Sequence, residues 1–135
     1  MRIVLDTNVL VSGLLSPFGP PGEIVRMVSS GELALCLEAR ILSEYGDVLR
    51  RPKFAFREDG VAALLHFVEY RGRPVASSPL PEHLPDPSNE PFLEVALAGG
   101  ADCLVTGNLA HFPPQLRQEV AVLSPGEFMS AYRIL

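Results

Sequence analysis

Two short apolar runs that each break off at a polar tip constrain this chain more than any other feature. Ile3-Val4-Leu5 ends at Asp6-Thr7-Asn8, and Cys103-Leu104-Val105 ends at Thr106-Gly107-Asn108. Runs that are apolar at every position, not at alternate ones, belong to strands covered on both faces. Leu33 to Leu37 and Val120 to Leu123 read the same way. The stretches between them have helical character: Val9 to Leu15, Glu23 to Ser30 ended by Gly31, and Ile41, Leu42, Tyr45, Val48 and Leu49 at helical spacing before Pro52. Residues 58 to 71 carry Val61, Leu64, Leu65 and Val68 on one face and close at Gly72, and Phe92 to Leu97 runs to Gly99-Gly100. Strands alternating with helices require right-handed crossovers, which predicts a parallel sheet with helices on both faces and ligands at the carboxyl ends of the strands. Asp6 and Asn108 both fall at such ends, and Glu44 falls inside the third helix.

The remaining segments are connections. Ser16 to Gly22 reads as a loop, Pro74-Val75-Ala76 as a brief extended piece, and Ser77 to Pro91 as a long Pro- and Ser-rich loop of the kind that usually serves a site. Ser124-Pro125-Gly126-Glu127 begins a last helix, with an N-cap, a proline in the first turn and an acid at N3. A length of 135 residues predicts one domain, residues 1–135, with one core. No apolar run approaches the roughly 18 residues of a membrane span, so the expectation is a soluble, cytoplasmic protein. Cys36 and Cys103 each sit inside an apolar stretch and read as buried thiols of a reducing compartment.

A net charge of −5 argues against binding nucleic acid by bulk electrostatics alone. The cations are nonetheless clustered: seven of the eleven lie between Arg40 and Arg73, with Arg50, Arg51, Lys53 and Arg57 close together. They form either a local basic patch or an ordinary solvated helix end. The three histidines, His66, His83 and His111, lack the spacing of a zinc-ligand pair. Carboxylates gathered at a sheet edge repel one another and lose hydration, so such clustering implies a cation or a shared proton. Mg²⁺ or Mn²⁺ suits a carboxylate set that leaves positions open for phosphate oxygens.

Four blocks together resemble one known family. They are Ile3-Val4-Leu5-Asp6-Thr7-Asn8-Val9-Leu10; Leu42-Ser43-Glu44-Tyr45 leading to Leu49-Arg50-Arg51-Pro52-Lys53-Phe54; Asp86-Pro87 with Phe92-Leu93-Glu94-Val95-Ala96; and Gly100 to Asn108 followed by His111-Phe112-Pro113. In this order they resemble the PIN-domain nucleases, nearest to PIN proteins described as toxins of toxin–antitoxin systems. The resemblance implies a three-layer α/β/α Rossmann-like fold and metal-dependent cleavage of single-stranded or structured RNA. By position, Asp6 becomes the first metal ligand and Glu44 the second acid. The family's third and fourth acids fall on Asn89 and Asn108, two amides that offer a carbonyl oxygen but no charge. Asp86 and Glu90, which flank Asn89, are the acids placed to compensate. The same resemblance gives Thr7 or Thr106 a hydroxyl role toward phosphate or water, and gives Arg50, Arg51 and Lys53 the RNA backbone. A cognate antitoxin and a homodimer are the partners it implies.

Each residue also has a plainer reading. Asp6 suits an N-cap, Asn8 a structural role, Glu44 an exposed surface acid and Asp86 a turn before proline. Thr106-Gly107-Asn108 suits a simple turn, and Glu94 and Asp102 read as solvated acids. With two amides in acid positions, a domain that binds RNA or a protein without cutting is the alternative function. An aspartyl phosphatase fits poorly, because Asn8 stands where a second Asp is usual.

Overall fold

A computed structural model describes residues 1–133. Five parallel strands form the middle of a three-layer α/β/α arrangement: β1 (Arg2–Leu5), β2 (Ala34–Leu37), β3 (Arg73–Pro74), β4 (Cys103–Val105) and β5 (Val122–Leu123), in the spatial order β3-β2-β1-β4-β5. The helices are α1 (Thr7–Leu15), α2 (Pro20–Ser30), α3 (Ala39–Leu49), α4 (Glu58–Arg71), α5 (Glu90–Ala98) and α6 (Pro125–Arg133). The central strand β1 pairs with β2 on one side and β4 on the other. Ile3, Val4 and Leu5 are therefore sealed on both faces, which is why the run shows no alternation. Cys36 and Cys103 are buried free thiols, and burial pushes the Cys103 thiol up to about 12. Among the described residues, no helix is long and apolar enough to cross a membrane.

The element boundaries differ from the sequence expectation where proline or a short edge decides them. Helix α2 starts at Pro20, three residues before Glu23, because Pro20 and Pro21 occupy first-turn positions whose N–H groups would be unbonded anyway. The extended piece near Pro74 joins the sheet as β3, with Cys36 opposite Arg73, and a proline is tolerated there because β3 is an edge. Only Val122 and Leu123 of the Val120–Leu123 run pair as strand. The last helix begins as expected: the Ser124 N–H donates to Glu127 Oε1 at 2.9 Å and the Glu127 N–H donates to Ser124 Oγ at 3.1 Å.

Glu94 is not solvated. It is 6% exposed, because Phe92, Leu93, Val95 and Ala96 around it bury almost the whole circumference of α5. Arg40 at the start of α3 donates to Glu94 Oε1 at 2.7 Å, and the Leu80 N–H donates to Oε2 at 3.3 Å. The second bond fixes the long loop to the helix that follows it.

Tyr45 of α3, fully buried, donates its hydroxyl to the Leu5 carbonyl at 2.5 Å and so ties α3 to the end of β1. Tyr45→Phe leaves that carbonyl without its partner and should cost about 1 to 2 kcal/mol. The expected readout is a lower urea midpoint with an unchanged m-value.

Candidate functional site

The register of two neighbouring strands builds the site. Leu5 lies opposite Val105, so the next residues of each chain, Asp6 and Thr106, stand side by side just beyond the paired ends. The ladder continues through them: the Asp6 N–H donates to the Val105 carbonyl and the Thr106 N–H to the Leu123 carbonyl, both at 2.9 Å. Thr106 Oγ1 then donates to Asp6 Oδ2 at 2.8 Å. Asp6 occupies the N-cap position of α1, but its side chain makes no capping bond and points into the site.

The Asp6 carboxyl is 5% exposed, and its pKa is raised. Burial is the main cause and the nearby negative charge of Glu44 adds to it, while the Thr106 hydroxyl opposes both. Glu44 projects from α3, half-buried, and accepts a hydrogen bond from the hydroxyl of Thr7, the first residue of α1. Asn8 clamps the loop after β4 onto α1: its Oδ1 accepts the Gly107 N–H at 3.0 Å. A Cβ at residue 107 would sit 3.2 Å from that oxygen, so glycine allows the close approach.

These groups line a cleft of about 440 Å³. Asp6, Thr7, Asn8, Glu44, Arg51 and Asn89 meet there, joined by Phe54 and His111. Asn89 sits where a 3₁₀ turn (Pro87–Asn89) passes into α5, and its Nδ2 is buried without a partner among the described residues. Asp86, Glu90 and Asn108 do not line the cleft. Asp86 caps the 3₁₀ turn, accepting from the Ser88 N–H at 2.9 Å and hydroxyl at 2.8 Å, which holds its pKa down. Glu90 accepts from the Leu84 N–H at 2.9 Å and lies 3.0 Å from His83 Nδ1, so it too is spent on the long loop. Asn108 is exposed, and its Nδ2 lies 2.9 Å from His111 Nε2.

Of the three expected RNA-binding cations, Arg51 alone lines the cleft. Arg50 is paired with Glu58 at 3.0 Å, and Lys53 lies over the Phe54 ring at 5.1 Å. Phe54 in turn stacks on Phe56 with centroids 5.7 Å apart. His111, Phe54, Val11 and Ser12 also line the cleft, and none of them stands out from the sequence as a site residue. His111 and Phe54 lie inside recognisable blocks, but the histidine spacing speaks only against zinc.

Among the described residues, no three of His, Cys, Asp and Glu gather as a metal-binding group, and the acids of the cleft number two. The donors present are still those of a hard cation: the carboxylates of Asp6 and Glu44, the hydroxyls of Thr7 and Ser12 and the amides of Asn8 and Asn89. The orphaned amide of Asn89 fits the same guest, because turning it over presents a buried carbonyl oxygen that only a cation or a donor satisfies.

The fold and this cleft place the chain among parallel α/β proteins with a polar site at the carboxyl edge of the sheet. Residues 2–110 match the family model described as PIN domain, and the chain belongs to the PIN-domain family. Members of that family are generally nucleases that use divalent metals and act on RNA or DNA. No curated protein and no solved structure matches the chain.

A raised Asp6 pKa means that the folded state holds its proton more tightly than the unfolded chain does. Between the unfolded value near 3.8 and the higher folded value, stability therefore falls as pH rises, and the loss persists at neutral pH. In EDTA, Asp6→Asn should raise Tm at pH 7 by a few degrees, and the gain should vanish below about pH 4. Thermal scans at both pH values check this.

Proposed function

We propose that the chain is a metal-dependent endoribonuclease that serves as the toxin of a toxin–antitoxin pair. The observation that carries the reading is the meeting of Asp6, Glu44 and the unpartnered amide of Asn89 in one cleft beside Arg51. Asp6, Glu44 and Asn89 would hold Mg²⁺ or Mn²⁺. When bound, the ion supplies Lewis acidity toward a phosphate oxygen and a lowered pKa for the attacking water.

The chain's own residues do the rest. Thr106 holds the Asp6 carboxylate in place through Oδ2, and Thr7 does the same for Glu44. Arg51 would take a phosphate of the RNA backbone as a bidentate partner. Phe54, stiffened by Phe56 and by Lys53 above it, offers a ring on which an unpaired base stacks. His111 meets Asn108 through Nε2, which leaves Nδ1 as the atom that gives or takes a proton. Asp86, Glu90 and Asn108 act from outside the lining, by shaping the loops that carry Asn89 and His111.

The acidic cleft of a chain with net charge −5 suits an antitoxin segment that brings a basic side chain to Asp6 and Glu44. A homodimer in the cytoplasm completes the reading by resemblance to toxins of this family. A second reading is supported by Asn89 itself: with one neutral amide beside two acids, cation affinity falls, and the domain would bind RNA or a partner without cutting.

Labelled single-stranded RNA incubated with Mn²⁺ or with EDTA separates the two. The nuclease reading expects Mn²⁺-dependent cleavage that Asp6→Ala or Glu44→Gln lowers by about 100-fold or more. Asn89→Asp should raise cleavage and lower the Mn²⁺ needed, since it adds a third carboxylate. Equal cleavage by wild type and Asp6→Ala would sink the assignment, and RNA binding without any cleavage would favour the non-cutting domain.

A further inference from the structure

A cavity of about 680 Å³ lies at the opposite end of the sheet from the acidic cleft, by the start of β1 and β2, the edge strand β3 and the last turns of α4 and α5. Arg2, Arg71 and Arg73 line it, and Val75, Ala98 and Gly99 supply an apolar wall. Among the described residues, none of these three guanidiniums has a carboxylate within ion-pair distance; Arg26, Arg51 and Arg117 also have none, but these three share one concavity. The nearest acid in sequence register, Asp102, accepts the backbone N–H of Arg2 at 2.9 Å, and no ion pair forms with its side chain.

The helix ends account for part of this arrangement only. Arg71 belongs to the last turn of α4, where the macrodipole attracts a cation. Arg2 and Arg73 sit on strands, which have no such dipole, and both are close enough to the Cys36 thiol to offset part of its burial. Arg2, Arg73 and Arg71, the last with its guanidinium over the Phe67 ring at 5.9 Å, give this concavity a net positive lining, and Asp102, the acid beside it, is engaged by the Arg2 backbone N–H.

We propose that this cavity binds a phosphate-rich anion of nucleotide size, with the three guanidiniums on the phosphates and the Val75–Ala98 wall against the apolar part. Its volume lies within the range of small-ligand sites, and guanidinium forks match phosphate oxygens bidentately. It is separate from the cleft: β1 carries Arg2 at one end and Asp6 at the other, roughly 13 Å apart at about 3.3 Å per residue, with the sealed core between them. The inference therefore stands whether or not the cleft cuts RNA. The phosphates belong either to a free nucleotide or to a nucleic-acid strand.

Isothermal titration of the full chain in EDTA, with inorganic tripolyphosphate, ADP and a single-stranded RNA in separate arms, tests it. Tripolyphosphate should bind with an affinity that falls as salt rises. Arg71→Gln/Arg73→Gln, and separately Arg2→Gln, should each weaken that binding roughly tenfold or more at unchanged Tm. Asp6→Ala should leave it within about twofold, because the two sites are far apart. ADP binding that shows the same arginine dependence assigns the site to a nucleotide, and RNA binding that shows it assigns the site to a strand. Absence of tripolyphosphate binding, or binding indifferent to the arginine variants, overturns the proposal, as does its loss in Asp6→Ala.

Discussion

The pairing of β1 with β4 is the constraint on which the site depends. Leu5 opposite Val105 is one step of an ordinary parallel ladder, yet it decides that Asp6 and Thr106 emerge next to each other. A shift of one residue would turn Asp6 to the other face of the sheet and separate it from Thr106. The apolar residues behind the site thus set its geometry: Ile3, Val4 and Leu5, buried on both sides, cannot slip without drawing Arg2 or Asp6 into the core. Tyr45 adds a second fixed point, because its bond to the Leu5 carbonyl sets the height of α3 and so the reach of Glu44.

Holding two acids at the end of a buried strand works against stability. Asp6 is desolvated and faces the charge of Glu44, and both effects disfavour its ionised form. The protein meets this locally with hydroxyls, Thr106 on Asp6 and Thr7 on Glu44, which accept no proton from the acids and add no charge. An arginine partner would neutralise the pair and remove its attraction for a cation. The contrast within the same molecule is Glu94, equally buried but bonded to Arg40 and to the loop at Leu80, where the charge is satisfied and the role is architectural.

The sheet, its parallel sense and the place of Asp6 were legible because they follow from local pattern: unbroken apolar runs, polar tips and helical spacing between them. Glu44 was legible by its block. What the long loop does with its acids was not. Asp86 and Glu90 flank Asn89 in sequence and look like stand-ins for a missing charge, but each faces backbone N–H groups of its own loop, at Ser88 and at Leu84, and these bind it first. For Asp86 the plainer turn reading supplies the donor, the Ser88 N–H two residues on, whereas the Leu84 N–H that holds Glu90 lies six residues upstream, where no turn rule points. Glu94 looked solvated because nothing in the sequence of α5 reveals that Phe92 to Ala96 are all covered, the exposed part being Leu97 and Ala98 at its end. His111 is held by the short turn that follows Asn108, three residues back, but that this turn reaches the cleft depends on the long-range pairing of β4 with β1.

The parallel architecture also sorts charge between the two ends of the molecule. Every strand points the same way and the crossovers run back, so the N-termini of α1 and α5 face the carboxyl edge of the sheet, where Asp6, Thr7 and Asn89 lie. Helix N-termini favour negative groups, which eases the placement of carboxylates and of an incoming phosphate at that edge. At the amino edge the last turns of α4 and α5 favour cations, and Arg71 follows that rule. Arg2 and Arg73 exceed it, since the strands that carry them contribute no field. The dipoles thus explain why acids can be kept at one end, and the guanidiniums on strands are the part of the opposite end that calls for an anion.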